Sequence, residues 1–123
     1  MKKITKKILK KREKRLAKRL FKEKLEIWKE KIIIRDEYKC QKCKHVLIAG
    51  KRHVHHIIAL QAVKRNYPEL LEDINNGILL CGYCHKFSPS SPHQGGFAWC
   101  EWFKYTKKEQ YEYLVSKLYE YRL

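Results

Sequence analysis

Three histidines fall within four positions of HVHHIIAL, at His53, His55 and His56, and a fourth, His85, directly follows a cysteine pair in CGYCHKF. A histidine near its ordinary pKa of ~6.5 is largely neutral at neutral pH, so it can take a proton from water or lend a lone pair to a metal ion. His55 and His56 are adjacent, and in an extended strand adjacent side chains leave on opposite faces. They are therefore suited to two tasks. Hydrolysis of a phosphodiester has two such tasks: a base that activates water, and a divalent cation that takes up charge on the phosphate and the leaving 3'-oxygen. His56 is the candidate base. His55 is a candidate ligand of the cation, with His85 closing from the other side of the fold. Asn76, in INNGILLC, carries an amide that can hold a loop or orient His56 without adding charge. Its plainer role is the Asn76-Gly77 turn, where both residues tolerate positive φ. His53 and His93 are further ligand candidates for which surface or packing roles are expected, and the plain reading of the whole set is a hydrogen-bonded structural cluster.

These histidines need a scaffold, and the cysteines supply one. Cys40 and Cys43 form one CxxC and Cys81 and Cys84 another. Two-residue spacing lets paired sulfurs reach one metal, and two pairs complete the tetrahedral sulfur shell that zinc favours. Such a site closes a loop of about 40 residues and supports a domain too small for a large core. Disulfides or a thiol redox pair compete for the same residues, as does an iron-sulfur centre. Two similarly spaced pairs make a shared structural zinc the simplest account. With four sulfurs on that ion, His85 beside Cys84 is free for another task. Cys100 is left over, with a buried apolar role as its default.

The elements that must position these groups are legible in part. Short apolar pieces beside His55 and at Ile78 to Leu80 read as strands. SPSSPHQGG, residues 88–96, breaks regular structure. A helical region follows, in which Thr106 and Glu109 have capping-box spacing and Tyr111, Leu114, Val115 and Leu118 make an apolar stripe. Phe97, Trp99, Trp102, Phe103 and Tyr105 read as core of these terminal helices more readily than as a base-stacking surface. Upstream, residues 1–31 lack proline and glycine, and Ile4, Ile8, Leu16, Leu20 and Trp28 suggest an interrupted helical stripe. The expected organisation is a basic helical arm at 1–35, a core with the zinc site at 36–87, and a linker with C-terminal helices at 88–123.

Composition narrows the partners. Lysines and arginines number 29 against 13 acidic residues, a formal +16. Residues 1–31 hold 15 basic and 4 acidic side chains, so +11 of that charge sits in the arm. An excess of this kind favours a polyanion, because binding a phosphate backbone releases counterions. No apolar run approaches the ~20 residues that span a bilayer, and the charged N-terminus does not read as a secretory signal, so a soluble, intracellular protein without a membrane partner is expected.

HVHHI, INNGILLC and the CxxCH of residues 81–85 resemble the His-Asn-His, or HNH, endonuclease motif, and the paired CxxC units resemble its zinc-stabilised branch. The likeness covers roughly residues 36–87. It implies a small α+β domain, the ββα-metal fold, with a structural zinc site and flanking helices. It also implies His56 as general base, His55 and His85 as ligands of a catalytic Mg²⁺ or Mn²⁺, and Asn76 rather than Asn75 as the middle asparagine. The activity implied is DNA cleavage leaving 5'-phosphate and 3'-hydroxyl ends, with weak sequence preference because an arm that grips phosphates reads few bases. The sequence is similar, too, to small bacteriophage HNH proteins, which implies host cytoplasm and a large terminase or portal as partner in genome packaging. A zinc-containing DNA-binding or packaging-adaptor module without catalysis is the alternative. A break in SPSSPHQGG that spread upstream would disturb His85. Oligomeric state is left open by the sequence.

Overall fold

The computed structural model describes residues 5–120. The lysine-rich segment is one helix, α1 (Lys6–Arg35), whose N-cap Thr5 hydroxyl accepts the Ile8 amide at 3.3 Å. Its 30 residues extend about 45 Å at ~1.5 Å per residue. Every side chain from Lys6 to Leu20 is exposed, and only the C-terminal half packs on anything. The stripe expected from the sequence is therefore not the buried one. Ile8, Leu16 and Leu20 face solvent, Ile4 lies outside the described residues, and only Trp28 of that set is buried. The packing row is Phe21, Leu25, Trp28 and Ile32, at four-three-four spacing, because the rest of the fold meets α1 only there.

Two strands, β1 (His53–His56) and β2 (Gly77–Leu80), pair antiparallel with His55 opposite Ile78 and His56 opposite Gly77. A two-stranded sheet is marginal in water by itself. Here β2 is buried along its whole length, and Ile78, Leu79 and Leu80 join Trp99, Phe103, Leu114 and Cys40 in one apolar cluster. A short helix, α2 (Leu60–Asn66), and two 3₁₀ turns, Pro68–Leu70 and Ile74–Asn76, link the strands. After β2 comes a single π-helical turn, Tyr83–Phe87, then α3 (Gly96–Thr106) and α4 (Lys108–Glu120). The result is a small α+β fold with flanking helices.

The turn that the sequence suggests at Asn76-Gly77 is a 3₁₀ turn, Ile74–Asn76, in which the Gly77 amide donates to the Ile74 carbonyl, and it does not use positive φ. Gly77 has φ −150° and begins β2, an ordinary extended residue. What demands glycine is crowding: a Cβ there would lie 2.6 Å from Trp28 Cζ2 and closer still to Ile32 Cδ1. Thr106 is not a cap either, since it ends α3 and α4 starts at Lys108. Of the aromatic set, Trp99 and Phe103 are core, whereas Phe97 and Tyr105 are exposed; Cys100 is also exposed rather than buried.

The end of α1 is fastened to the sheet by charge. The buried Asp36 carboxylate takes Arg35 Nε at 2.9 Å, Arg35 Nη2 at 3.0 Å and the Leu79 amide at 2.9 Å. Arg35 also donates to the carbonyls of Ile74 at 2.5 Å and Gly77 at 2.7 Å. Removing one member of such a buried pair costs about 3–5 kcal/mol, because the other is left unpaired.

Candidate metal centres and active site

The cysteine pairs sit on opposite sides of the sheet in sequence and meet in space. All four Sγ atoms of Cys40, Cys43, Cys81 and Cys84 lie within 4.8 Å of one another. Each CxxC curls so that its second cysteine's amide approaches the first sulfur, at 3.5 Å for Cys43 to Cys40 and 3.4 Å for Cys84 to Cys81. Lys44, just past the first pair, adopts φ 68° to complete that curl. The Cys43 and Cys81 sulfurs are 3.8 Å apart. A tetrahedron with ~2.3 Å zinc–sulfur bonds has edges of about 3.8 Å, whereas a disulfide would need about 2.05 Å. The donor set fits zinc and the cysteines are free. Burial alone would raise the Cys40 thiol, but the amides of Cys43, Cys81 and Lys42 outweigh it and bring it to about 7. Burial first, and then neighbouring sulfurs, push the Cys43 and Cys84 thiols up. Zinc, when bound, would relieve that crowding by neutralising the thiolates. His45 Nδ1, 3.2 Å from Cys43 Sγ, supplies an outer contact to this shell.

The second centre is made of histidines. β1 sends His53 and His55 to one face, and the turn after Cys84 brings His85 between them: His55 Nδ1 is 3.2 Å from His85 Nε2, and His53 Nδ1 is 3.1 Å from His85 Nδ1. The break at SPSSPHQGG does not disturb His85. The loop doubles back, pinned by the buried Ser91, whose carbonyl accepts the Gly95 amide at 2.8 Å, and it delivers His93 Nε2 to within 3.1 Å of His85 Nε2. One nitrogen each from His55, His85 and His93 falls within 4.8 Å of the others. His53 and His93 both contact His85, and of the two only His93 joins the group that could hold an ion. Burial, then the charges of His85 and His93, hold His55 down to about 3, and burial, then His93 and His53, hold His85 at about 4. These are neutral imidazoles, the form that binds a metal.

His56 leaves β1 on the other face. Its ring stacks on Trp28, with centroids 4.3 Å apart and planes at 18°. Its Nε2 is buried without a hydrogen-bond partner. Burial, and then the charge of Lys29, lower its pKa, so this imidazole too is neutral at pH 7. A cavity of about 350 Å³ touches both His55 and His56 and is otherwise walled by apolar side chains, among them Ile58, Trp99 and Leu114. A more open groove runs past Lys29, Arg52, His53 and His85.

Asn76 is buried, and its side-chain amide bonds Ile58. Its Oδ1 accepts the Ile58 amide at 2.7 Å and its Nδ2 donates to the Ile58 carbonyl at 3.1 Å, which clamps the chain just after His56. Of the two uses its amide suggested, holding the loop is the one this geometry displays.

Residues 40–87 match the family model described as HNH endonuclease. That segment is similar to the HNH endonuclease family. No curated protein and no solved structure matches the chain. The HNH match encloses His55, His56, Asn76, His85 and all four clustered cysteines, and the fold around them is the ββα-metal arrangement with its helix reduced to one turn. His93, a further ligand candidate in the sequence, lies outside the match, and the folded loop brings it to His85. Sequence reasoning also missed the residues that hold the segment bearing Asn76. Trp28 Nε1 donates to the Asp73 carbonyl at 2.8 Å, Tyr113 Oη to Asp73 Oδ2 at 2.5 Å, and Gln110 Nε2 to the Asn75 and Gly77 carbonyls at 2.7 and 3.0 Å. Lone polar residues on distant helices carry no local signal for such contacts. No helix among the described residues is long and apolar enough to cross a membrane.

Proposed function

We propose that the HNH domain is a metal-dependent DNA endonuclease leaving 5'-phosphate and 3'-hydroxyl ends, with weak sequence preference. The observation that carries this reading is the division of β1: three imidazole nitrogens converge on one face, while a neutral histidine with an unpartnered Nε2 occupies the other. His55, His85 and His93 would hold the divalent ion, which when bound stabilises charge on the phosphate and the leaving oxygen. An all-nitrogen set suits imidazole-loving transition ions better than Mg²⁺, which prefers oxygen ligands. The neutral His56 accepts the proton of the attacking water at Nε2. An unmet buried acceptor costs about 1–3 kcal/mol, a penalty that an entering water or phosphate-bound hydroxyl relieves. Trp28 sets the ring plane and Asn76 fixes the chain on its C-terminal side. His53, against His85 Nδ1, leaves Nε2 of His85 for the ion. A terminase or portal partner rests on the phage resemblance alone and forms no part of this function.

The test compares zinc-loaded wild type with His56→Ala on supercoiled and linear DNA, with Mn²⁺, Mg²⁺, Ni²⁺ or no added ion. Nicking that disappears in a folded, DNA-binding His56→Ala protein and returns with added imidazole supports the proposal. Equal cleavage by both proteins removes His56 from the mechanism. DNA binding without cleavage under every ion makes this a zinc-containing DNA-binding module instead.

A further inference from the structure

The row through which α1 sits on the domain is Phe21, Leu25, Trp28 and Ile32, all half-buried or buried. Continued toward the N-terminus at the same alternation of three and four, that row passes through Lys18, Lys14, Lys11 and Lys7. At 3.6 residues per turn the eight side chains stay within an arc of about 100°. One face of one helix therefore changes from apolar to lysine at the edge of the domain. Glu13, Glu23 and Glu30 fall on the opposite side, among the exposed Leu9, Leu16, Leu20, Ile27 and Ile34. Carboxylates spaced along that apolar side disfavour its burial in a bilayer. The lysine row leads into Trp28, the ring that stacks on His56, and Lys29 borders the groove that reaches His53 and His85.

We propose that Lys7, Lys11, Lys14 and Lys18 form a rail for duplex DNA, which grips the backbone on one side only of the phosphate at the HNH site. From Lys7 to Trp28 is about 32 Å of helix at ~1.5 Å per residue. That length is close to one turn of B-DNA, or about nine base pairs at ~3.4 Å each. The bound duplex is therefore asymmetric about the site, with a flank of about nine base pairs along α1. The inference rests on the proposed function only for where the scissile phosphate lies; the grip itself requires no cleavage.

The experiment uses the zinc-loaded full chain on a duplex of about three helical turns, without a catalytic ion. A row variant, Lys7→Gln, Lys11→Gln, Lys14→Gln and Lys18→Gln, is compared with an off-row variant of equal charge loss: Lys6→Gln, Arg12→Gln, Lys24→Gln and Lys31→Gln. All eight side chains are exposed, and glutamine matches lysine in helix propensity. Four lost phosphate contacts lower the slope of log affinity against log salt by up to about 3.6 for the row variant. The off-row variant should lose less than about one. Hydroxyl-radical footprints should show that the row variant loses about nine base pairs of protection at one end only. Equal slopes for the two variants, protection lost at both ends, or a single strand bound as tightly with the same slope would each overturn the rail. A row contrast without any cleavage by wild type leaves the rail standing and removes the nuclease, whereas cleavage without the contrast does the reverse.

Discussion

Asn76→Ala tests whether the middle residue of the motif acts by clamping backbone rather than by touching the reaction. The side chain is 1% exposed and makes two bonds to one residue, the Ile58 amide at 2.7 Å and the Ile58 carbonyl at 3.1 Å. A hydrogen bond contributes about 0.5–1.5 kcal/mol net, and a buried group left without its partner costs about 1–3 kcal/mol. With Ile58 only part-buried, its amide and carbonyl regain some solvent when released, so the loss should fall near 2–4 kcal/mol. Asn76→Asp keeps the acceptor for the Ile58 amide but turns a donor into an oxygen facing the Ile58 carbonyl, and it adds a buried charge. It should be no better than alanine at neutral pH and should recover in part in mild acid as the carboxyl protonates. Equilibrium urea unfolding of the zinc-loaded protein gives the stability difference, and the same preparations assayed under conditions where each is fully folded give the cleavage rate. A loss below about 0.5 kcal/mol would refute the clamp. A full-strength stability loss in which the folded fraction cleaves at the wild-type rate would keep the clamp but refute its part in the reaction, because the clamped chain would then be irrelevant to His56.

The other expectations follow from the same geometry. Gly77→Ala drives a Cβ into Trp28 and Ile32, so it should cost about 1–3 kcal/mol as an overpacked site and shift Trp28 fluorescence, while Gly96→Ala, which meets nothing within 4 Å, should be near neutral. Cobalt titration should fill two distinguishable sites, one with thiolate charge-transfer bands and one without, and His93→Ala should weaken only the second; loss of the thiolate bands in that variant would refute the division. Burial and Lys29 lower the His56 pKa, so cleavage should hold its rate as pH falls through ~6.5 and drop only below it, and Lys29→Gln should move that limb upward. The lowered pKa values of His55 and His85, at about 3 and about 4, mean that the native state binds fewer protons than the unfolded chain below ~6.5. Stability is then present above that pH and lost as acid is added and the pH falls from ~6.5 toward the folded-state values, a loss measured by unfolding at stepped pH.

What the sequence made legible was what depends on neighbours in the chain. The CxxC pairs pointed to one metal because two-residue spacing is enough to bring sulfurs together, and the four Sγ atoms do meet. His55 and His56 were separable because strand geometry sends adjacent residues apart, and His85 and Trp28 now occupy the two faces. What was harder to read has a different cause. Gly77 looked like a positive-φ turn residue because Asn-Gly usually supplies one, yet the need for glycine is set by Trp28 and Ile32, more than 40 positions upstream. His93 looked solitary because a proline- and serine-rich stretch gives no sign of where it returns, and only Ser91's burial and its bond to Gly95 reveal a tight reversal.

The arm shows how composition can hide a pattern. Net charge suggests a polyanion partner for the N-terminal arm, and the arm is a helix as its composition suggests, but the apolar residues that mark it as helical lie mostly on its exposed side. Ile8, Leu16 and Leu20 were conspicuous because they are apolar among lysines, and they are exposed because no element lies opposite them. The informative residues were the four lysines, unremarkable in a segment so rich in them until Trp28 and Ile32 are seen to be buried. Once that packing fixes which side of α1 faces the domain, the same spacing assigns Lys7, Lys11, Lys14 and Lys18 to that side. A burial pattern at one end of a helix thus decides which charges at the other end share a face with the site. Total charge, which counts all 29 basic residues alike, carries no such information, and a row variant matched against an off-row variant of equal charge is what separates the two.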